Sequence, residues 1–283
     1  MEQIILPVVA IGGMGLLFGA LLALAAKIFA VEKDERIPKI IEVLPGANCG
    51  GCGFAGCSAY ASAVADGSAS VDCCPVGGAN AAKKIAEIMG VEAGESERKV
   101  AFVACRGTKD VAKDKYINRE KIDCFVAHRL GGGMKECKFG CLGYGSCAEK
   151  CSFGAISIVN GTAVVDRELC GACGACVREC PRGLIRLVPY KEQAAVVCSS
   201  KENGKTVRAV CGVGCIGCGI CAKNCESGAI TVQNSLAVID PSKCTACGVC
   251  TEKCPRKIIH IEKAEEKIEQ TSGICVARKA KRS

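Results

Sequence analysis

Histidine is nearly missing from the 283-residue chain, which has only His128 and His260. Zinc sites commonly mix Cys with His and haem takes an axial His or Met, so both groups lose ground at once. No dinucleotide fingerprint follows a strand. "GGMG" at 12–15 lies inside an apolar run, and "GGG" at 131–133 stands alone. "GANCGGCGFAGC" at 46–57 is glycine-rich but ends in cysteine, without the Gly-Lys-Ser/Thr of a phosphate loop. No paired acid and base stands out, and no Ser–His or Cys–His arrangement. The only basic run is Arg278, Lys279, Lys281 and Arg282 at the C-terminus, which argues against a nucleic-acid partner.

Cysteine is abundant instead, with 26 residues, a density that suits a disulfide scaffold or a metal protein. The N-terminus bears on which. Ile4 to Ala26 is a run of 23 uncharged, mostly apolar residues, about 34 Å as helix and long enough to span a bilayer. A cleaved signal is the alternative, but no Lys or Arg precedes the run. Lys27, Lys33, Arg36 and Lys39 follow it, which places the body on the cytoplasmic side of the cell membrane. In that reducing compartment the thiols are expected to bind metal rather than pair. Gly15 and Gly19 form a G-x-x-x-G step on which another helix could pack.

The cysteines fall into sets. The first is Cys49-x2-Cys52-x4-Cys57, closed sixteen residues later by Cys74-Pro75; Cys74 is preferred to its neighbour Cys73 because proline follows it. Val31 to Val43 reads as a charged connector. "SAYASAVADGSAS" and "GANAAKKIAEIMG" read as helices, the second stopped by Gly90. From Lys99 the texture turns to β-prone segments, and a repeat appears. Cys151, Cys170, Cys173, Cys176 and Cys180 recur 74 residues later as Cys225, Cys244, Cys247, Cys250 and Cys254. Upstream, Cys137, Cys141 and Cys147 pair in the same register with Cys211, Cys215 and Cys221, while Cys218 faces Tyr144.

Cys170-x2-Cys173-x2-Cys176-x3-Cys180-Pro and its copy match the bacterial ferredoxin run, in which the fourth cysteine ligates the neighbouring cluster. Crossed wiring then predicts four 4Fe-4S sites. They are Cys137, Cys141, Cys147 with Cys180; Cys170, Cys173, Cys176 with Cys151; Cys215, Cys218, Cys221 with Cys254; and Cys244, Cys247, Cys250 with Cys225. Cys137 is assigned in place of the cysteine missing at Tyr144. With the Cys49 set the count is five 4Fe-4S clusters, structural zinc being the alternative for that first set. Cys105, Cys124, Cys198 and Cys211 either hold a sixth cluster or are buried small hydrophobes. Five clusters at about −2 each with their thiolates would bring the formal charge of +8 to about −2.

The expected fold class is α+β, built of small metal-stabilised modules. Residues 1–30 form a transmembrane helix and 31–95 a helical four-Cys domain. Residues 96–190 and 191–262 form two tandem ferredoxin-like modules, and 263–283 a charged tail with Cys275. Lacking a hydride-handling cofactor site, the chain can carry single electrons but cannot itself reduce a nicotinamide.

The order of one N-terminal helix, a C-x2-C-x4-C-x16-C-P module and then ferredoxin modules resembles the B subunit of the Rnf complex. "GANCGGCGFAGC" and "FGCLGYGSC" carry the resemblance, which covers essentially the whole chain. It implies a membrane-bound ferredoxin:NAD oxidoreductase coupling electron flow to Na+ or H+ export. This subunit would receive electrons from reduced ferredoxin, with flavin and NAD sites on sister subunits. A stand-alone membrane-anchored polyferredoxin is the alternative; a cysteine-rich zinc protein would be colourless.

Overall fold

A computed structural model describes residues 2–28, 34–94, 97–118, 120, 122–191 and 193–262; Cys275 and the charged tail lie outside them. Helix α1 (Glu2–Ile28) runs 27 residues, about 40 Å. Its described side chains are those of residues 12–25 and Lys27, and Leu16, Leu17, Phe18, Leu21, Leu22 and Leu24 among them are all exposed. The transmembrane helix expected over 1–30 is not shown: among the described residues no helix is long and apolar enough to cross a membrane.

Helices α2 (Arg36–Val43), α3 (Cys57–Ala65) and α4 (Gly78–Met89) form one helical module. The segment expected as a connector is therefore partly helix. Ile37, Ile40 and Leu44 recur at helical spacing, and this stripe packs on Tyr60, Val64 and Ile85. Ile40 and Ile85 are wholly buried. Gly90, in the left-handed region, ends α4 as its sequence position predicts.

The first ferredoxin-like copy comprises β1 (Lys99–Val103), α5 (Cys124–Arg129), α6 (Ser146–Glu149), β2 (Ile156–Val159), β3 (Thr162–Val165), α7 (Ala175–Glu179) and β4 (Ile185–Pro189). The second comprises β5 (Gln193–Val196), α8 (Gly204–Val210), α9 (Ile220–Lys223), β6 (Ile230–Gln233), β7 (Leu236–Ile239), α10 (Val249–Lys253) and β8 (Ile259–Glu262). Each copy has an outer antiparallel pair, β1 with β4 or β5 with β8, and an inner hairpin, β2–β3 or β6–β7. The hairpins turn tightly, and the loop before α6 or α9 lies on the turn. A Cβ on Gly143 would fall 2.5 Å from the Gly161 carbonyl, and one on Gly217 would fall 2.7 Å from that of Ser235. Only glycine tolerates that approach at positive φ.

β1 explains how the copies join. Ala101 and Val103 face the core of the first copy, beside Cys141, Cys147 and Cys176. Val100, Phe102 and Ala104 face the other way, into a core with Ala194 to Val197, Ile230 and Ile259 of the second copy. A strand buried on both faces needs an unbroken apolar run, and "VAFVA" supplies it. Burying each large side chain here contributes about 1.5–3 kcal/mol.

Candidate iron–sulfur sites

In the helical module, Cys57 is the first residue of α3, and its N–H donates to Asn48 Oδ1 at 2.8 Å. Cys74 is buried within electrostatic reach of Cys52 and Cys57, and Gly77 N–H approaches its sulfur at 3.4 Å. Cys73 is exposed. Cys49 is felt by Cys173 of the first ferredoxin-like copy. The two modules meet there, since a Cβ on Gly51 would lie 2.9 Å from Cys173 Cα.

In the first copy one cavity is lined by Cys151, Cys170, Cys173 and Cys176. Ala155 N–H donates to Cys151 Sγ at 3.3 Å and Ala101 N–H to Cys170 Sγ at 3.4 Å. A second cavity is lined by Cys124, Cys141, Cys147 and Cys180. The structure thus corrects the assignment of Cys137, because Cys124 stands where the missing fourth thiol was sought. Asp123 caps α5 through Val126 N–H, and Cys124 N–H donates to Ser146 Oγ at 2.9 Å, pinning the thiol to the start of α6. In the second copy Cys215, Cys218, Cys221 and Cys254 line the matching cavity. Cys250 is in reach of Cys244, Cys247 and Cys221, and Cys225 and Cys244 pack on the same core.

Cys137 lines a different cavity, between the copies, with Cys105, Cys198 and Cys211. Each copy gives two thiols. Cys105 follows β1 and Cys198 follows β5, while Cys137 and Cys211 are partners in the 74-residue register. The hydrogen bonds repeat as well. Cys141 N–H donates to Cys105 Sγ at 3.3 Å, and Cys215 N–H donates to Cys198 Sγ at 3.4 Å. Lys135 is buried on this cavity, its Nζ donating to the Gly107 carbonyl at 2.6 Å and the Gly161 carbonyl at 2.7 Å. Strand pairing of Ala112 with Cys211 closes the junction. Of the four thiols expected as a sixth set, Cys105, Cys198 and Cys211 line this cavity with Cys137, while Cys124 lines that of Cys141, Cys147 and Cys180. The register held the signal, because two surplus cysteines at equivalent positions point to one shared task. Cys124 carried no such signal: it sits in a stretch that separates Cys105 from Cys137 by 32 positions, against 13 between Cys198 and Cys211.

The chemistry of these sets fits iron–sulfur clusters. All 25 described cysteines are free. No group of three or more candidate ligands among the described residues is arranged to hold a single metal ion. In four of the sets the sulfurs line cavities instead of converging on one point, as a multi-iron cluster requires. Burial pushes the Cys147 thiol up to about 12 and those of Cys176, Cys198 and Cys250 to about 11. At neutral pH such thiols keep their protons until iron displaces them. Backbone N–H groups aimed at sulfur then stabilise the ligated thiolate and tune its potential.

Three family models match. Residues 44–76 match one described as "Putative Fe-S cluster", 163–186 a 4Fe-4S binding domain and 214–258 a 4Fe-4S dicluster domain. The chain is 46% identical over 244 residues to the B subunit of the Na(+)-translocating ferredoxin:NAD(+) oxidoreductase complex of Acetobacterium woodii, covering 86% of this chain and 73% of that one. It is 43% identical to the B subunit of the ion-translocating oxidoreductase complex of Methanosarcina acetivorans, over 86% of this chain and 93% of that one. The B subunit of the proton-translocating ferredoxin:NAD(+) oxidoreductase complex of Clostridium ljungdahlii is 42% identical, over 86% of each chain. With ferredoxin-type cysteine sets in a matching order and this identity across most of its length, the chain belongs to the family of Rnf complex B subunits.

Proposed function

We propose that this chain is the electron-transfer subunit of an ion-translocating ferredoxin:NAD oxidoreductase and that it holds six 4Fe-4S sites in series. Iron–sulfur clusters, when bound, supply one-electron redox chemistry. The chain's own work is to hold them close, dry and in order. The order in space runs from the Cys49/Cys52/Cys57/Cys74 set to Cys151/Cys170/Cys173/Cys176 and then to Cys124/Cys141/Cys147/Cys180. It continues through Cys105/Cys137/Cys198/Cys211 to Cys215/Cys218/Cys221/Cys254, and ends at Cys225/Cys244/Cys247/Cys250.

The observation that carries this reading is the pair of hydrogen bonds from Cys141 N–H to Cys105 Sγ and from Cys215 N–H to Cys198 Sγ. They join the site between the copies to a ligand of the next site on either side. Cys218 and Cys247 are exposed at the far end, which suits entry of electrons from a soluble reduced ferredoxin. The Cys49 set lies nearest α1 in sequence and suits exit to membrane and flavin- or NAD-binding sister subunits. The anchoring reading for α1 rests on its exposed Leu16, Leu17, Leu21, Leu22 and Leu24 and on the basic residues that follow it.

The test is anaerobic purification of the full chain, with iron and sulfide counted and EPR recorded after dithionite reduction. About 24 irons per chain with interacting S = 1/2 signals are expected from six 4Fe-4S clusters. A colourless zinc protein after cluster reconstitution would refute the reading. About 20 irons, unchanged in Cys137→Ser, would remove the site between the copies.

A further inference from the structure

We propose that Arg182 donates its Nε–H to the cluster held by Cys124, Cys141, Cys147 and Cys180, and so sets that site's potential above its counterpart in the second copy. The inference rests on the cluster reading above. Arg182 follows Cys180-Pro181, and its repeat partner Arg256 follows Cys254-Pro255. Both side chains clamp the loop that carries the thiol between the copies. Arg182 Nη1 donates to the carbonyls of Cys137 at 2.9 Å and Gly140 at 3.1 Å, and its Nη2 donates to that of Gly132. Arg256 Nη2 donates to the Cys211 carbonyl at 2.6 Å.

The copies then differ. Arg256 Nε is already used, donating to the Gly214 carbonyl at 3.2 Å. Arg182 Nε is buried and has no partner among the described residues. Its side chain lines the cavity of the four cysteines. A buried guanidinium N–H without an acceptor is costly, and native structures rarely leave one. Cluster and thiolate sulfurs are acceptors, and guanidinium remains cationic in proteins. A charged N–H donated to sulfur favours the reduced, more negative cluster, and so raises its potential.

The experiment is an EPR-monitored redox titration of the full chain and of Arg182→Lys, which keeps the charge and removes Nε, with Arg256→Lys as comparison. One potential in Arg182→Lys should fall by a tenfold change in the reduction equilibrium, about 59 mV for one electron. Arg256→Lys should move its own site by less. Unchanged potentials in Arg182→Lys at parental iron content would overturn the role of Arg182 alone. A parent whose iron count and spectra are unaffected by Cys124→Ser would overturn the cluster site as well. Should Arg182→Lys fail to load iron, the parent labelled with 15N-arginine decides. Pulsed EPR of the reduced protein should show coupling to 15N, and its absence would refute the donation.

Discussion

Tyr144 occupies the register position that Cys218 holds in the second copy, and its hydroxyl accepts from Asn118 Nδ2 at 3.2 Å. The fourth thiol on the cavity of Cys141, Cys147 and Cys180 comes from outside the loop, from Cys124, the first residue of α5. Cys124→Ser should therefore lower iron by one to four atoms per chain, as its cluster loses a ligand. Restoring the loop cysteine in Cys124→Ser/Tyr144→Cys should recover most of that iron, which metal analysis and EPR would measure. No recovery, with the fold intact by circular dichroism, would show that the two positions are not interchangeable around the cavity.

At the scale of elements, the contacts that matter are those that bring sites together. Gly51 lies against the backbone of Cys173 with no room for a methyl group. Gly51→Ala is expected to cost about 1–3 kcal/mol of overpacking strain. Its specific mark would be weaker spin–spin interaction between the Cys49 and Cys173 sites at unchanged iron content, read by EPR. β1 has the matching role between the copies. Phe102→Ala should destabilise the folded chain by about 3–5 kcal/mol, measured by denaturant unfolding under anaerobic conditions. The site of Cys105, Cys137, Cys198 and Cys211 should then be the first to lose iron, because its ligands come from both sides of that packing.

On the scale of the whole molecule, the six proposed sites form one line in which the Cys105/Cys137/Cys198/Cys211 site belongs equally to both copies. Cys137→Ser should cut it there. Freeze-quench EPR after mixing with reduced ferredoxin would then show the Cys215 and Cys244 sites reduced and the Cys49 site still oxidised; rapid reduction of all sites would refute the serial order. Removing residues 1–30 should leave iron content unchanged and release the chain from membranes, as fractionation would reveal. Retention of the shortened chain on membranes by its partner subunits alone would limit α1 to a supporting role.

The cysteine spacing by itself determined the chemistry, the two ferredoxin-like copies and the strand segments around them, because ligand spacing and apolar runs are local properties of the chain. The glycine that ends α4 was legible for the same reason. Which thiols share a site was legible only where a local rule reaches. The rule covers a run such as Cys170 to Cys176, whose three cysteines sit close together in the chain. It says nothing of Cys124, delivered by α5, or of a site assembled half from each copy. Those depend on β1 being buried on both faces and on the outer strand pairs stacking, which are long-range packing events. Tertiary structure alone decided that Cys137 belongs with Cys105, Cys198 and Cys211, because only packing brings residues so distant in sequence round one cavity.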